Sequence, residues 1–463
     1  MDRLIVSVSG VRGVVGATLT ESVARDFGCA FATMITSGER SRTAAGKTAV
    51  LGRDTRPSGP MLRDAVAEGL TSCGVNVIDL GVVTTPGAAL MTSRLGADGG
   101  VVITASHNPG EYNGIKFLQP TGTGLTAAAA EKLKRIWESG KFALADPERR
   151  GDRSSNADTH RTHVEAVCGV CDPAAIAVRH FKVVLDGANG AGCIVTPMLL
   201  ERLGCELVHI NGEPSGLFAH PPEPVAENVS ELCEAVRKHG ADVGFAQDAD
   251  ADRLAIADER GRFIGEEYTL ALAAAFVLRG RKGKLATNMV TSRMIDDIAA
   301  RHGCQVVRAP TGEANVVEAM QREGCIFGGE GGGGAIEPRV VPVRNSLVAI
   351  AYVLQYMAET GKTISQLVDE IPRYFMLKTK LPCPAGAAEK VAAAARKAFE
   401  GRAGAKFNTA DGLRIDLPAG WVCARASNTE PIMRIIAEAA DRKSAEALVD
   451  EVRCIAEKVI GAS

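Results

Sequence analysis

Ala49-Val50-Leu51-Gly52-Arg53-Asp54 opens a stretch whose plan returns twice further along the chain. An apolar run feeds a polar loop. A helical pattern follows over residues 60–72, with Leu62, Val66 and Leu70 four residues apart on one face. Gly74 supplies a left-handed cap, and Cys73-Gly74-Val75-Asn76-Val77-Ile78 reads as a second strand. The plan recurs at Lys182-Val183-Val184-Leu185-Asp186, with a helix over 194–202 and a strand pattern over 203–208. It recurs again at Lys284-Leu285-Ala286-Thr287-Asn288, with a helix over 293–301 and a strand pattern over 302–307. Such strand–helix–strand units build largely parallel sheets through right-handed crossovers. Three copies predict three α/β domains of related design. The tail differs. Residues 413–417 and 432–438 alternate like strands, and 444–460 reads as a closing helix. The expected fold is therefore α/β: three related domains with mostly parallel sheets, over 1–158, 159–260 and 261–371. A smaller C-terminal α+β domain follows over 372–463.

The bulk numbers agree with that size. A chain of 463 residues is too long for one hydrophobic core. A hydrophobic share of 46% with 23% charged residues is that of a soluble globular protein. The net charge of −2 gives no reason to expect nucleic acid or an anionic membrane as partner. No apolar run is long enough to span a bilayer, and the first residues enter a strand pattern with no signal-peptide plan. The 12 cysteines are scattered, many within apolar patterns, which predicts reduced thiols and a cytoplasmic protein. Cys168-Gly169-Val170-Cys171 stands alone as a CxxC, without the second pair that a zinc site needs and without a strand–helix entry for redox work. His160 and His163 have no further ligand types close in sequence and read as surface residues.

Four loops carry chemistry. Thr104-Ala105-Ser106-His107-Asn108-Pro109 follows the apolar run 100–103, so Ser106 sits just past the C-terminal end of a strand. Open α/β sheets bind ligands there, and a hydroxyl so placed can carry a group covalently. Lys116 lies close behind it. Asp248-Ala249-Asp250-Ala251-Asp252-Arg253 lies between two apolar runs. Three carboxylates at alternate positions can converge on one cation, and an all-oxygen set suits Mg²⁺, with Mn²⁺ or Ca²⁺ as alternatives. An EF-hand is excluded, because Arg253 stands where that loop needs glycine. Arg253 can hold a phosphoryl oxygen.

Arg425-Ala426-Ser427-Asn428-Thr429-Glu430-Pro431 joins two strand-like runs. A guanidinium, hydroxyls and loop N–H groups together suit a dianionic phosphate. Gly328-Gly329-Glu330-Gly331-Gly332-Gly333-Gly334 reads either as a flexible linker or as a close-approach loop whose Glu330 accepts from two sugar hydroxyls. Ser9-Gly10-Val11-Arg12-Gly13 sets an arginine in a glycine-framed turn. Gly52-Arg53-Asp54-Thr55-Arg56 reads as a structural Arg–Asp pair in preference to an anion site.

In this order along the chain, the loops resemble those of the α-D-phosphohexomutase family. The resemblance covers the whole chain. Ser106 matches the phosphoserine and Asp248, Asp250 and Asp252 the metal loop, with alanines in place of that loop's usual glycines. Gly329, Glu330 and Gly331 match the sugar loop, and Arg425, Ser427, Asn428 and Thr429, with Arg434 beyond them, the phosphate site. The resemblance implies four domains around a central cleft, and Mg²⁺ held by the three aspartates and by Ser106 once phosphorylated. It implies Lys116 as general acid or base, His107 in support, and Arg12 and Arg253 neutralising the phosphoryl group. It implies a small phosphosugar as substrate, a hexose 1,6-bisphosphate as intermediate and activator, and a monomer or homodimer. Gly332 and Gly334 stand where many relatives carry Ser and His, which leaves the hexose open. The sugar and phosphate loops look most like an archaeal-type branch assigned both as phosphoglucosamine mutase and as phosphomannomutase/phosphoglucomutase, and phosphoglucosamine mutase is the leading expectation. A phosphomannomutase/phosphoglucomutase is the alternative, and a phosphosugar-binding pseudoenzyme a remote one.

Overall fold

The structure is a computed structural model and describes residues 4–37, 46–384, 386–427 and 431–461. Four sheets follow one another along the chain. The first has seven strands in the order Ile5–Ser7, Gly10–Val14, Tyr112–Leu118, Gly99–Ile103, Thr48–Arg53, Asn76–Val82, Arg153–Ser155. Its last four strands are parallel and the others antiparallel. The second and third sheets have four strands each. In both, three strands run parallel and an antiparallel edge strand closes the sheet: Leu254–Ala257 in one, Gly334–Ile336 in the other. The fourth sheet, of five strands, is antiparallel throughout, and its helices Ala387–Phe399 and Arg442–Gly461 pack over the buried Val422, Ile435 and Ala437.

The three repeated units form as their patterns predict. Their helices span Gly59–Ser72, Gly192–Arg202 and Met294–Arg301. Gly74, Gly204 and Gly303 all have φ between +67° and +76°, the left-handed end that lets each chain turn into its next strand. The mixed character of the sheets is what the repeat alone does not show. It has one local cause. In each of the first three domains the chain leaves a parallel strand, makes a short connection and returns antiparallel beside it. Those connections are residues 104–111, 248–253 and 331–333.

One large apolar cluster runs through the first three domains, from Val50 and Val102 through Leu185 and Phe245 to Phe327 and Leu354. The helix Thr159–Cys168 lies in that seam. His163 is therefore not at the surface: it is wholly buried, between Asn345 (Nδ2 to Nε2, 2.9 Å) and Thr84 (Oγ1 to Nδ1, 3.5 Å). Burial pushes its imidazole down to about 4. His160, one turn earlier, is half-buried. The sequence around these two carries no trace of the domains that cover them.

Candidate functional site

Ser106 stands in the left-handed region, at φ +52°, and is 1% exposed. That conformation costs a non-glycine residue roughly 1–2 kcal/mol, so something must hold it. Arg56 does. Its guanidinium donates to the carbonyls of Ser106 (2.7 Å), Asn108 (2.6 Å), Pro109 (2.7 Å) and Tyr112 (2.9 Å). Its Nε pairs with Asp54 at 3.1 Å, and both side chains are fully buried. Asp54 also accepts from the Thr104 hydroxyl (2.7 Å), which in turn accepts the Ser106 N–H (2.9 Å). The structural Arg–Asp pair read from the sequence thus reaches across and fixes the serine loop.

The Ser106 hydroxyl donates to Asp248 Oδ2 at 2.9 Å, joining the first domain's connection to the second's. Asp248, Asp250 and Asp252 are buried, and each offers an oxygen within 4.8 Å of the other two. Asp248 Oδ1 accepts the N–H groups of Asp252 (3.0 Å) and Arg253 (3.1 Å), which curls the loop so that the carboxylates converge. Asp250 Oδ1 and Asp252 Oδ1 are buried without a hydrogen-bond donor. Burial, and then the charges of Asp252 and Asp250, push the Asp248 carboxyl well above its usual range. Converging hard oxygens, orphaned lone pairs and mutual repulsion are the signature of a divalent-cation site, and these residues fit one.

Cations surround the triad. Lys116 Nζ lies 2.5 Å from Asp250 Oδ2 and 3.4 Å from Asp252 Oδ2. Burial pulls the ammonium down, but the two aspartates outweigh it and hold it above the usual lysine value. Thr85 Oγ1 donates to the same Asp250 oxygen at 2.5 Å. Arg253 lies 3.9 Å from Asp252 and 3.9 Å from Glu223. Arg12 shares the field of Asp250, Asp252 and Arg253, and burial, its largest influence, lowers it. His107 Nδ1 is 3.4 Å from Ser106 Oγ, and burial with Arg253 and Arg12 pushes the imidazole down to about 3. Ser106, His107, Lys116, Arg12, Arg253 and the three aspartates therefore lie together as one charged cluster.

The third domain's connection is a tight hairpin between Phe327–Glu330 and Gly334–Ile336, not a linker. Its glycines admit close neighbours. A Cβ on Gly331 would fall 2.0 Å from the Glu267 carboxylate, and one on Gly334 would fall 2.2 Å from Arg344 Cδ. Glu330 Oε1 accepts from Asn288 Nδ2 (2.8 Å) and the Gly312 N–H (3.0 Å). Its Oε2 accepts from Arg344 Nη1 (3.1 Å) and keeps a lone-pair direction for one further donor. In the fourth domain Arg425 Nε lies 2.8 Å from Asp411, whose carboxylate also accepts the Thr311 N–H at 2.9 Å. Arg434 stands directly across from Arg425 in the sheet, and Lys380 across from Arg434. The Ser427 N–H bonds the Ile432 carbonyl at 2.9 Å. Asn428 and Thr429 lie outside the described residues.

Arg344, Thr85 and Asp411 are the neighbours of these loops that sequence reading missed. None sits in a motif. Arg344 follows the apolar Val340-Val341-Pro342-Val343, and its partners are 14 to 92 residues away.

All four domains match models of one family, phosphoglucomutase/phosphomannomutase: α/β/α domain I over residues 3–144, domain II over 161–261, domain III over 265–375 and the C-terminal domain over 379–454. The chain belongs to this family. As a phosphohexomutase it is an isomerase that interconverts sugar phosphates by intramolecular phosphoryl transfer. A phosphoglucomutase/phosphomannomutase of Thermococcus kodakarensis is 41% identical over 98% of both chains. A probable phosphoglucosamine mutase of Methanopyrus kandleri is 36% identical over 97% of this chain and 98% of its own. The crystal structure of a family protein from Burkholderia thailandensis superposes with a TM-score of 0.87 at 28% identity, over 98% of this chain and 97% of that one. No described helix is long and apolar enough to cross a membrane.

Proposed function

We propose that this phosphohexomutase works through a phosphoryl group carried on Ser106 and a hexose 1,6-bisphosphate intermediate. The observation that carries the reading is the 2.9 Å contact between Ser106 Oγ and Asp248. It sets a buried, backbone-clamped hydroxyl directly on a carboxylate cluster fitted for a divalent cation. A phosphoserine carries a charge of about −1.5 to −2, which repels an incoming hydroxyl oxygen. Arg12, Arg253 and Lys116 offset that charge. Asp248, Asp250, Asp252 and a phosphoserine oxygen would hold Mg²⁺, which would supply further charge neutralisation as a Lewis acid. The sugar oxygen bonds to phosphorus as the bond to Ser106 Oγ breaks, and the hydroxyl proton passes to the site. His107, its Nδ1 3.4 Å from Ser106 Oγ, is the neutral base placed to receive it, and Lys116, an ammonium on Asp250, is the acid that can return one.

Glu330 fixes the sugar through its open lone pair, and Arg425, with Arg434 beside it and the residues 427–429, holds the phosphate that is not reacting. Gly329 and Gly331 keep the hairpin backbone close to the sugar. The bisphosphate turns end over end, and its second phosphoryl group returns to Ser106. A catalytic amount of the bisphosphate recharges any enzyme that has lost its phosphate.

For the hexose, the first reading is glucosamine 6-phosphate to glucosamine 1-phosphate, supported by the full-length relatives of that name. The second is the neutral hexoses, favoured by the 41% identical relative and by Arg344, which shares the Glu330 carboxylate and leaves it less charge for an ammonium at C2. Cytoplasmic sugar-nucleotide supply suits either. Turnover of glucosamine 6-phosphate, glucose 1-phosphate and mannose 1-phosphate, side by side with Mg²⁺ and bisphosphate, decides between them. Ser106→Ala is expected to abolish all three reactions, and intact-mass analysis to find one phosphate on Ser106 of the wild type. Near-normal turnover in the alanine variant would overturn the mechanism.

A further inference from the structure

Arg344 hydrogen-bonds both the triad and the sugar hairpin. Its Nη2 donates to Asp252 Oδ2 at 2.7 Å, its Nη1 to Glu330 Oε2 at 3.1 Å and its Nε to Glu313 Oε2 at 3.0 Å. Its own N–H also bonds Glu313 at 3.0 Å, so the backbone is pinned with the side chain. The side chain is 14% exposed, and its stem occupies the space that a Cβ on Gly334 would need. A guanidinium is planar and rigid, so three carboxylates on one fork are fixed relative to each other, which an ammonium cannot do. The neighbouring Asn345 is just as constrained: its side chain caps the helix Ser346–Thr360 and bonds His163. Arg344 thus projects from a fixed point.

We propose that Arg344 is a positioning residue that couples the two halves of the site, so that a sugar seated on Glu330 pre-orders Asp252 for the cation, and the cation pre-orders Glu330 for the sugar. The coupling rests on the site assignment above and is reciprocal by thermodynamic necessity. Glu330 is one end of the fork and Asp252 the other. Ordering either end removes disorder that the second ligand would otherwise have to remove.

The test uses full-length enzyme without phosphate on Ser106, which binds a sugar monophosphate but has no phosphoryl group to give. Mn²⁺ affinity is read by electron paramagnetic resonance alone, with glucose 1-phosphate, and with inorganic phosphate as the control that cannot reach Glu330. In the wild type, glucose 1-phosphate is expected to tighten Mn²⁺ about 5-fold or more beyond the effect of inorganic phosphate, in the range usual for coupled sites. Arg344→Lys keeps the charge and loses the fork, and its ratio is expected to fall to one. Gly334→Ala displaces the same side chain without removing it and is expected to lower the ratio too. An unchanged ratio in Arg344→Lys overturns the proposal. Equal weakening of Mn²⁺ with and without sugar also overturns it, since it confines Arg344 to the triad. The site reading fails separately, if wild-type enzyme incubated with the bisphosphate never gains mass at Ser106.

Discussion

The connections at 248–253 and 331–333 occupy the same place in two related sheets, each between the last parallel strand and an antiparallel edge, yet they are built on opposite principles. The first packs charge: three buried aspartates repel one another and are held by their own loop N–H groups and by cations from other domains. The second removes side chains: its glycines let Glu267 and Arg344 close in on the backbone. One connection is active through what its side chains carry, the other through what its missing side chains admit. The same topology thus supports two opposite chemistries, and the difference lies in which cost each one bears, desolvated charge or backbone entropy.

Breaking the first connection should cost most. Asp248→Asn removes a proposed cation ligand and the carboxylate that accepts the Ser106 hydroxyl. Turnover is expected to fall about 10³-fold or more, the several kcal/mol that a bound cation supplies to phosphoryl transfer. Steady-state kinetics over a range of Mg²⁺ checks it, and a loss under 10-fold would detach the triad from the chemistry. Breaking the second should cost less and show elsewhere. Gly331→Ala forces the hairpin away from Glu267. A loss of roughly 10- to 100-fold in kcat/KM is expected, the 1–3 kcal/mol of one or two hydrogen bonds to sugar, with Mn²⁺ affinity alone preserved.

The smallest effect sharpens the comparison through pH. Burial pushes Glu267 up to about 7, and the Ser292 N–H on its carboxylate offsets only part of that. Unfolded, it titrates near 4.5. The native state therefore holds this proton more tightly, and its contribution to stability is complete below the unfolded value and is lost as pH rises from 4.5 through about 7. Glu267→Gln should flatten that part of the stability curve and stabilise the protein at pH 8 relative to wild type. Thermal unfolding from pH 5 to pH 8 measures it, and parallel curves for variant and wild type would show that Glu267 ionises freely.

The same contrast explains what was legible in the sequence. The aspartates, Ser106 and Arg425 were visible because they sit in dense polar loops between apolar strands. The repeated units were visible because hydrophobic period and capping glycines are local properties. The glycine run was ambiguous between linker and hairpin, because the atoms that require glycine, on Glu267 and Arg344, lie far away in sequence. His163 was misread for the same reason: what buries it is the meeting of three domains. Arg344 carried no local signal at all, and Arg56 showed only its pairing with Asp54, not the carbonyls it clamps. A single arginine in a loop is an ordinary surface residue until the fold brings it its acceptors.

The Arg56 clamp has a consequence for how this site can change over generations. On the serine loop and the strand that follows, it reads four carbonyl oxygens and no side chain. Every amino acid offers the same carbonyl. Residues beside Ser106 can therefore be exchanged, and its surroundings retuned, while the address of the serine stays constant. The chemistry is anchored by a part of the chain that mutation cannot rewrite.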